Sequence, residues 1–397
     1  MAKIIITTIP YWGHINVTLS LGAILLKNGH EVTWVIAKEM NGLVLPKGGK
    51  LFLTNKSDDR DVSRVLDLLD SGKSKSAFDG SKFVMEQVLL PLGKLMYLGL
   101  KEFAESYQPD LIIHDEQTYV GGICAYLLNI PYITTHAPPS GVYESSGVDQ
   151  ITQWYFEELE KYQTYFGLPA QPIIVRSKKL GLVFCPRNFS NPHDVMEGQV
   201  FVGPCLDTPR SYVETFDFSK LENKTNINLM VSIGTLLTQE AKHFFSRVVE
   251  DFKNSPYTVI VVANPDLFEI WPDNFIVQQR VPHLELIKYI DVVISHGGAN
   301  TVCDCIGTGI PLVVVPMAFD QYYVGDQIAH NKIGIRLKYK RLKANELRDS
   351  CDELVNKNNV YHSNVTHFSK IFRTAGGAGK AVELIENFIA QECKICQ

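Results

Sequence analysis

The sequence has no surplus of positive charge, no long apolar run and no dense set of cysteines, and each lack closes off a class of protein. Its 38 Lys and Arg stand against 43 Asp and Glu, a net charge of -5, so no basic surface for nucleic acid is expected. No stretch approaches the roughly 18 apolar residues of a spanning helix, so no transmembrane segment is expected either. The opening Ala2-Lys3-Ile4-Ile5-Ile6 reaches Pro10 without a small-residue cleavage site, which argues against a secretory leader. N-x-S/T triplets such as Asn188-Phe189-Ser190 then carry no glycosylation meaning. Of the eight cysteines only Cys393 and Cys396 form a C-x-x-C, with no second pair or histidine beside them. Zinc is therefore not expected, and reduced, cytoplasmic thiols are. Asp59-Arg60-Asp61 imitates a metal-binding D-x-D, but residues 54 to 77 read as a polar loop, where that pattern arises easily.

What is present is an ordinary globular composition, 45% apolar and 20% charged, on 397 residues, too many for one compact core. Apolar runs and helical patterns alternate. Lys3 to Ile9 reads as a strand, Asn16 to Asn28 as a helix stopped by Gly29, and Glu31 to Ile36 as the next strand, hence a parallel sheet. Phe83 to Tyr107 reads as a long helix interrupted near Pro91. Leu111 to His114 is a buried strand ending in Asp115-Glu116, followed by a helix over Tyr119 to Leu128 and a strand over Tyr132 to Thr135. Val200 to Val202 closes this half. Pro204 to Asn226 loses the period and reads as a linker. A second alternating pattern begins at Asn228 and runs to a helical end interrupted at Gly376-Gly377. The reading is two α/β domains, 1–203 and 227–379, with a terminal helix over 380–397. Open sheets of this kind bind ligands at the C-terminal ends of their strands.

The chain is organised around Ser295-His296-Gly297-Gly298-Ala299-Asn300-Thr301. It follows the buried strand Asp291 to Ile294 and precedes a helix. Strand, glycine turn and helix in that order aim backbone N–H groups and the positive end of a helix at an anion. The glycines allow close backbone approach, and His296, Asn300 and Thr301 add donors. The spacing is neither G-x-G-x-x-G nor a P-loop. A pyrophosphate cradle and a tight strand–helix turn explain the glycines equally well on their own.

Other strand ends carry chemistry too. His14 follows the first strand, where a histidine can act as general base. Asp115 ends a strand of the same half; a carboxylate on one imidazole nitrogen fixes the tautomer and stabilises the imidazolium. His114 and Glu116 compete with it, and strand alternation allows only some of the three to face the site. Ser232-Ile233-Gly234-Thr235 is a second glycine turn with hydroxyls. Asp304 lies one helical turn past Thr301, within reach of a ribose. Asp320 and Gln321, in Pro316-Met317-Ala318-Phe319-Asp320-Gln321, can hold sugar hydroxyls.

Together these segments resemble the metal-independent nucleotide-sugar glycosyltransferases of the GT-B fold, the group of the macrolide, zeaxanthin and plant secondary-metabolite UDP-glycosyltransferases. The resemblance rests on Gly13-His14, Ser232–Thr235, the block from His296 to Gln321 and the late Gly-Gly-Ala-Gly. It implies two Rossmann-like parallel-sheet domains facing across a cleft, with the last helix packing back on the first. It implies an inverting hexosyltransferase in which His14 deprotonates the acceptor and Asp115 supports it. Gly13, Ser232, Gly234, Thr235, His296, Gly298, Asn300 and Thr301 would lie at the donor, Asp304 at the ribose, and Asp320 and Gln321 at the sugar. The family's Trp-x-Pro-Gln reads Arg280-Val281-Pro282-His283 here. The guanidinium can still stack on a base, but the choice between UDP-glucose and a dTDP-sugar stays open. The family's G-H-x-x-P lacks its proline, since Val17 stands there. No cofactor or metal is implied, and the expected partner is a small apolar hydroxylated acceptor, with Trp12, Phe83, Met85, Tyr143 and Trp154 as lining; the protein would be a monomer or homodimer. The rival readings are a nucleotide-sugar epimerase on the same fold and a non-catalytic nucleotide-sugar-binding protein.

Overall fold

The structure, a computed structural model, describes residues 1–55, 59–72, 77–137, 149–190, 197–206, 215–221, 226–234, 239–318 and 320–395. The chain divides into two compact units, Met1–Ser211 with Ala375–Gln397, and Tyr212–Thr374.

The first unit runs β1 (Lys3–Thr7), α1 (Trp12–Lys27), β2 (Glu31–Ile36), β3 (Lys50–Leu53), α2 (Arg60–Gly72) and α3 (Ala77–Val84). After a π-helical turn at Met85–Leu89 come α4 (Leu90–Tyr107), β4 (Leu111–Asp115), α5 (Tyr119–Leu127), β5 (Tyr132–His136), α6 (Asp149–Tyr165), β6 (Gly181–Val183) and β7 (Gln199–Phe201). The seven strands are parallel, in the order β3-β2-β1-β4-β5-β6-β7. Helices cover both faces of such a sheet, which is why β1 is a run of isoleucines. Ile4 and Ile6 of β1 and Leu111 and Ile113 of β4 share one core with Leu21 and Leu25 of α1 and with Trp34. The Trp34 indole donates to Thr18 Oγ1 at 3.1 Å, so its one polar atom is satisfied inside.

Three expectations change here. The stretch read as a polar loop contains α2, and Asp59 caps it. Its Oδ1 accepts from the backbone N–H groups of Asp61 (2.9 Å) and Val62 (3.1 Å), and the Val62 bond leads in holding its carboxyl below the usual range. The D-x-D imitation is a helix start. Pro91 does not break the long helix; it sits in the first turn of α4, where it has no N–H to lose, and the irregularity is the π-turn before it. The run Asp79–Tyr107 is long and apolar enough to cross a membrane by composition, contrary to expectation, yet half of its most apolar window is buried inside the protein, as in a core helix.

The second unit runs β8 (Ile227–Ser232), α7 (Gln239–Phe252), β9 (Tyr257–Val262), β10 (Phe275–Gln278), α8 (His283–Leu286), β11 (Val292–Ser295), α9 (Ala299–Thr308), β12 (Leu312–Val314), α10 (Gln321–His330), β13 (Gly334–Arg336), α11 (Glu346–Val355) and α12 (Val360–Thr374). Its six parallel strands lie in the order β10-β9-β8-β11-β12-β13. Leu229, Val231, Val259 and Val261 pack against Phe244 and Phe252 of α7. The chain then gives α13 (Gly377–Ile395) to the first unit. There Ala381, Val382 and Ile385 enter the core, Gly377 N donates to Val202 O at 2.6 Å, and Lys179 pairs with Glu392 at 2.8 Å.

Both sheets have a point where strand order reverses, between β1 and β4 in the first and between β8 and β11 in the second. The loops leaving C-terminal strand edges diverge there and open a crevice for ligand.

Candidate active site

At the first reversal, the C-terminal ends of β1 and β4 lie side by side, with Thr7 in register with His114. His14 is in the first turn of α1, which begins at Trp12 rather than at Asn16, and Gly13 before it is exposed. His14 Nδ1 and Asp115 Oδ2 are 2.9 Å apart. The carboxylate is 1% exposed and the imidazole 15%, so the pair is shielded on the acid's side and reachable on the histidine's. Asp115 Oδ1 accepts from Gln117 N at 2.9 Å, which fixes the carboxylate's orientation.

Strand alternation settles the competition among 114, 115 and 116. Leu111, Ile113 and Asp115 share the face covered by α1, where His14 is. His114 and Glu116 point to the other face. There Glu116 Oε2 meets His136 Nδ1 at 2.8 Å, with the Arg176 guanidinium 4.0 Å away and donating to the Tyr155 hydroxyl of α6. Sequence reading missed His136 and Arg176. The β4–β5 register, Asp115 opposite Thr135, is what sets Glu116 beside His136.

His114 is fully buried, and burial pushes its imidazole down to about 4. Unfolded, it titrates near 6.5. Between those values the unfolded chain binds more protons, so stability present above pH 6.5 is lost as pH falls toward 4, by about 3 kcal/mol from this group alone. Urea unfolding at pH 7 and pH 4.5 is expected to show a smaller acid loss in His114→Asn than in the wild type.

At the second reversal, β8 and β11 run in register with Ser232 opposite Ser295. This brings the two glycine turns together. A Cβ on Gly234 would lie 3.0 Å from Cε1 and Nε2 of His296, and one on Gly298 2.8 Å from the same atoms. The imidazole occupies the space that both residues leave by lacking side chains. Gly297, at φ 94, turns the chain in a conformation only glycine adopts without strain, and its N–H donates to Ser295 Oγ at 3.1 Å. Gly298 is then the N-cap of α9 and offers no side chain to its first amides, which suits an anion. At the far end of α9, Arg373 and Ser369 donate to Gly307 O at 2.7 and 2.8 Å, a favourable cation at the helix C-terminus.

Asn300 and Thr301 are half-buried in the first turn of α9, and Asp304 follows a turn later, 2% exposed. Its Oδ2 is 3.2 Å from His283 Nε2, a pairing sequence reading had not made. Arg280 is half-buried in the loop between β10 and α8. Val281 is 4% exposed, so only its backbone remains to face a ligand. Gln321 is also buried; its Oε1 accepts from Met317 N and Ala318 N, both at 2.9 Å, so it shapes the loop after β12. Asp320 stays half-exposed at the start of α10. Thr235 and Phe319 lie outside the described residues.

The expected acceptor lining is only partly assembled. Phe83 borders a cavity of about 430 Å³ with Asp79, Lys82, Glu86 and Gln87, and Trp154 donates to Glu86 at 3.2 Å. Met85, the first residue of the π-turn, is fully buried, and Trp12 packs against the core that includes α1. Tyr143 lies outside the described residues. The cavity beside Phe83 is lined mostly by polar side chains.

Residues 265–376 match the glycosyltransferase family 28 C-terminal domain, a span that contains the whole His296–Gln321 block. The chain is 27% identical to NDP-glycosyltransferase YjiC of Bacillus subtilis (strain 168) over 393 residues, 96% of each.

The chain has the GT-B fold and carries a glycosyltransferase C-terminal domain.

The transferase has the fold of the glycotransferase of kitacinnamycin, with TM-score 0.76 and 22% identity over 98% of this chain and 99% of that one. It also matches the glycosyltransferase VinC, solved with dTDP, at TM-score 0.75 and 16% identity over 98% and 100%. In the transferase, the matched span holds the Gly297-Gly298 turn and α9; Gly234 precedes that span in the same unit, and the other unit contains the His14–Asp115 pair.

Proposed function

We propose that the transferase moves a hexose, glucose first among candidates, from a nucleoside diphosphate to a hydroxyl of a small acceptor, with inversion and without a metal. The observation that carries this is the His14–Asp115 contact. The nitrogen bonded to the carboxylate is Nδ1. The imidazole is thereby held as the tautomer whose Nε2 is basic. That nitrogen takes the proton of the acceptor hydroxyl as its oxygen attacks the anomeric carbon. The bond from that carbon to the diphosphate breaks, and the diphosphate leaves with the electron pair. One displacement turns an α-linked donor into a β-glycoside.

The α9 N-terminus, His296, Asn300 and Thr301 stabilise the leaving diphosphate. Asp304 takes the ribose, Arg280 stacks on the base, and Asp320 holds the sugar while Gln321 shapes its loop. Among the described residues no group of three or more His, Cys, Asp and Glu is placed to hold a metal ion. The acceptor is read as amphiphilic rather than purely apolar, since carboxylates and Lys82 share the cavity with Phe83. VinC's dTDP keeps dTDP-glucose beside UDP-glucose as a donor to test. None of the relatives named above is an epimerase.

The test is purified protein with UDP-glucose and dTDP-glucose, a panel of phenolic, terpenoid and macrolide alcohols, and EDTA, read by mass. A hexose adduct is expected. Adducts that vanish with EDTA would overturn metal independence. Epimerised donor in the absence of acceptor would favour the epimerase.

A further inference from the structure

His114 is not the base, yet its surroundings tie it to the base's partner. It is fully buried on the face of β4 opposite Asp115. Nδ1 is 3.1 Å from the Asp115 carbonyl oxygen, and Nε2 is 3.0 Å from Thr134 Oγ1. Thr134 Oγ1 in turn accepts from Ser177 N at 2.9 Å.

These contacts assign every proton. A carbonyl only accepts, so the imidazole N–H is on Nδ1. Nε2 is then the acceptor, and the Thr134 hydroxyl donates to it. The ring stays neutral because burial holds it down to about 4. The chain of donors runs from Ser177 through Thr134 and His114 to the backbone of Asp115, whose carbonyl also accepts from Thr118 N at 2.8 Å and so closes the turn. The same residue's carboxylate holds His14. The position is tightly enclosed: a Cβ on Gly121 of α5 would collide with His114 Cβ and lie 2.8 Å from the Thr7 methyl.

We propose that His114 is a positioning residue of the transferase, locking the Asp115 turn from behind so that the carboxylate meets His14 Nδ1 in line. This rests on reading Asp115 as the partner of the base. A hydrogen bond that fixes a catalytic group's backbone acts on orientation, where small displacements cost large factors in rate. The groups proposed to hold the diphosphate, ribose and base lie in the other unit, so donor affinity is expected to be left alone.

The experiment uses the full chain with saturating UDP-glucose and any alcohol that the wild type glycosylates. His114→Leu is expected to lower kcat roughly tenfold or more while donor KM stays within about twofold. His114→Asn keeps an amide N–H for the Asp115 carbonyl and is expected to recover most of the loss. Gly121→Ala, which pushes the ring from outside, is expected to resemble His114→Leu and carries the test if that variant does not fold. The inference is overturned if kcat in these variants stays within twofold of wild type, or if kcat and donor KM worsen together with no rescue by Asn. A wild type silent with every donor and acceptor would instead sink the transferase reading on which the inference stands.

Discussion

His14→Ala is expected to cut transfer by about 10²- to 10⁴-fold while leaving the affinity for UDP unchanged. The proton of the acceptor hydroxyl has no other recipient in this account, since His114 is buried and neutral and His136 is 2% exposed and bound to Glu116. The residues proposed to hold the diphosphate belong to the other unit and keep their geometry. Asp115→Asn is expected to act through the same step. Its amide can present a donor where Nδ1–H needs an acceptor, favouring the wrong tautomer. Because the two residues work as one device, the double variant should be scarcely worse than His14→Ala alone. Rates with one acceptor, and UDP affinity by calorimetry, check both statements. Equal activity in His14→Ala and wild type would remove the base from the mechanism.

The second large effect is expected at Gly298. A methyl there lies 2.8 Å from the His296 ring, so Gly298→Ala must push the imidazole out of its place over both glycine turns. Loss of a hydrogen bond to a charged group costs about 1.5–3 kcal/mol, which corresponds to roughly a ten- to hundredfold weaker Kd for UDP. Gly234→Ala is expected to act in the same direction, with added backbone strain at its φ of 70. The sign of the control is opposite to that for His14: here donor binding falls, and kcat at saturating donor falls less. Unchanged UDP affinity in both variants would show that His296 does not meet the diphosphate.

Much of this architecture is legible from pattern. Isoleucine runs announce buried parallel strands, and Gly29 and Gly309 mark where helices stop. The two glycine turns and His14 stand at strand ends that the alternation locates within a few residues. What pattern does not carry is register. Nothing in the one-dimensional string says that β1 lies beside β4 or β8 beside β11, and those neighbours create the His14–Asp115 and Gly234–His296 meetings. Alternation separates Asp115 from His114 and Glu116, but only the helix packed on each face decides which residue meets the base. The Glu116–His136 and His283–Asp304 pairs join residues 20 or more positions apart and depend on the same information.

Other misses had signals that were overridden. Val62, Val65, Leu66 and Leu69 recur at helical spacing in α2, but the surrounding Asp and Ser residues made the segment look like a loop. The strands β3 and β6 are four and three residues long, too short for a period to emerge. Met85 reads as pocket lining because it is apolar among aromatics; it is buried in a π-turn, which has no sequence mark.

The most direct measurement is the anomeric configuration of the product, read by proton NMR after incubation of the wild type with α-linked UDP-glucose or dTDP-glucose and an alcohol. A β-glucoside of that alcohol, formed with EDTA present, is the result that a single displacement driven by His14 predicts. An α-glucoside would contradict it, because retention requires a second displacement for which His14 and Asp115 alone do not account.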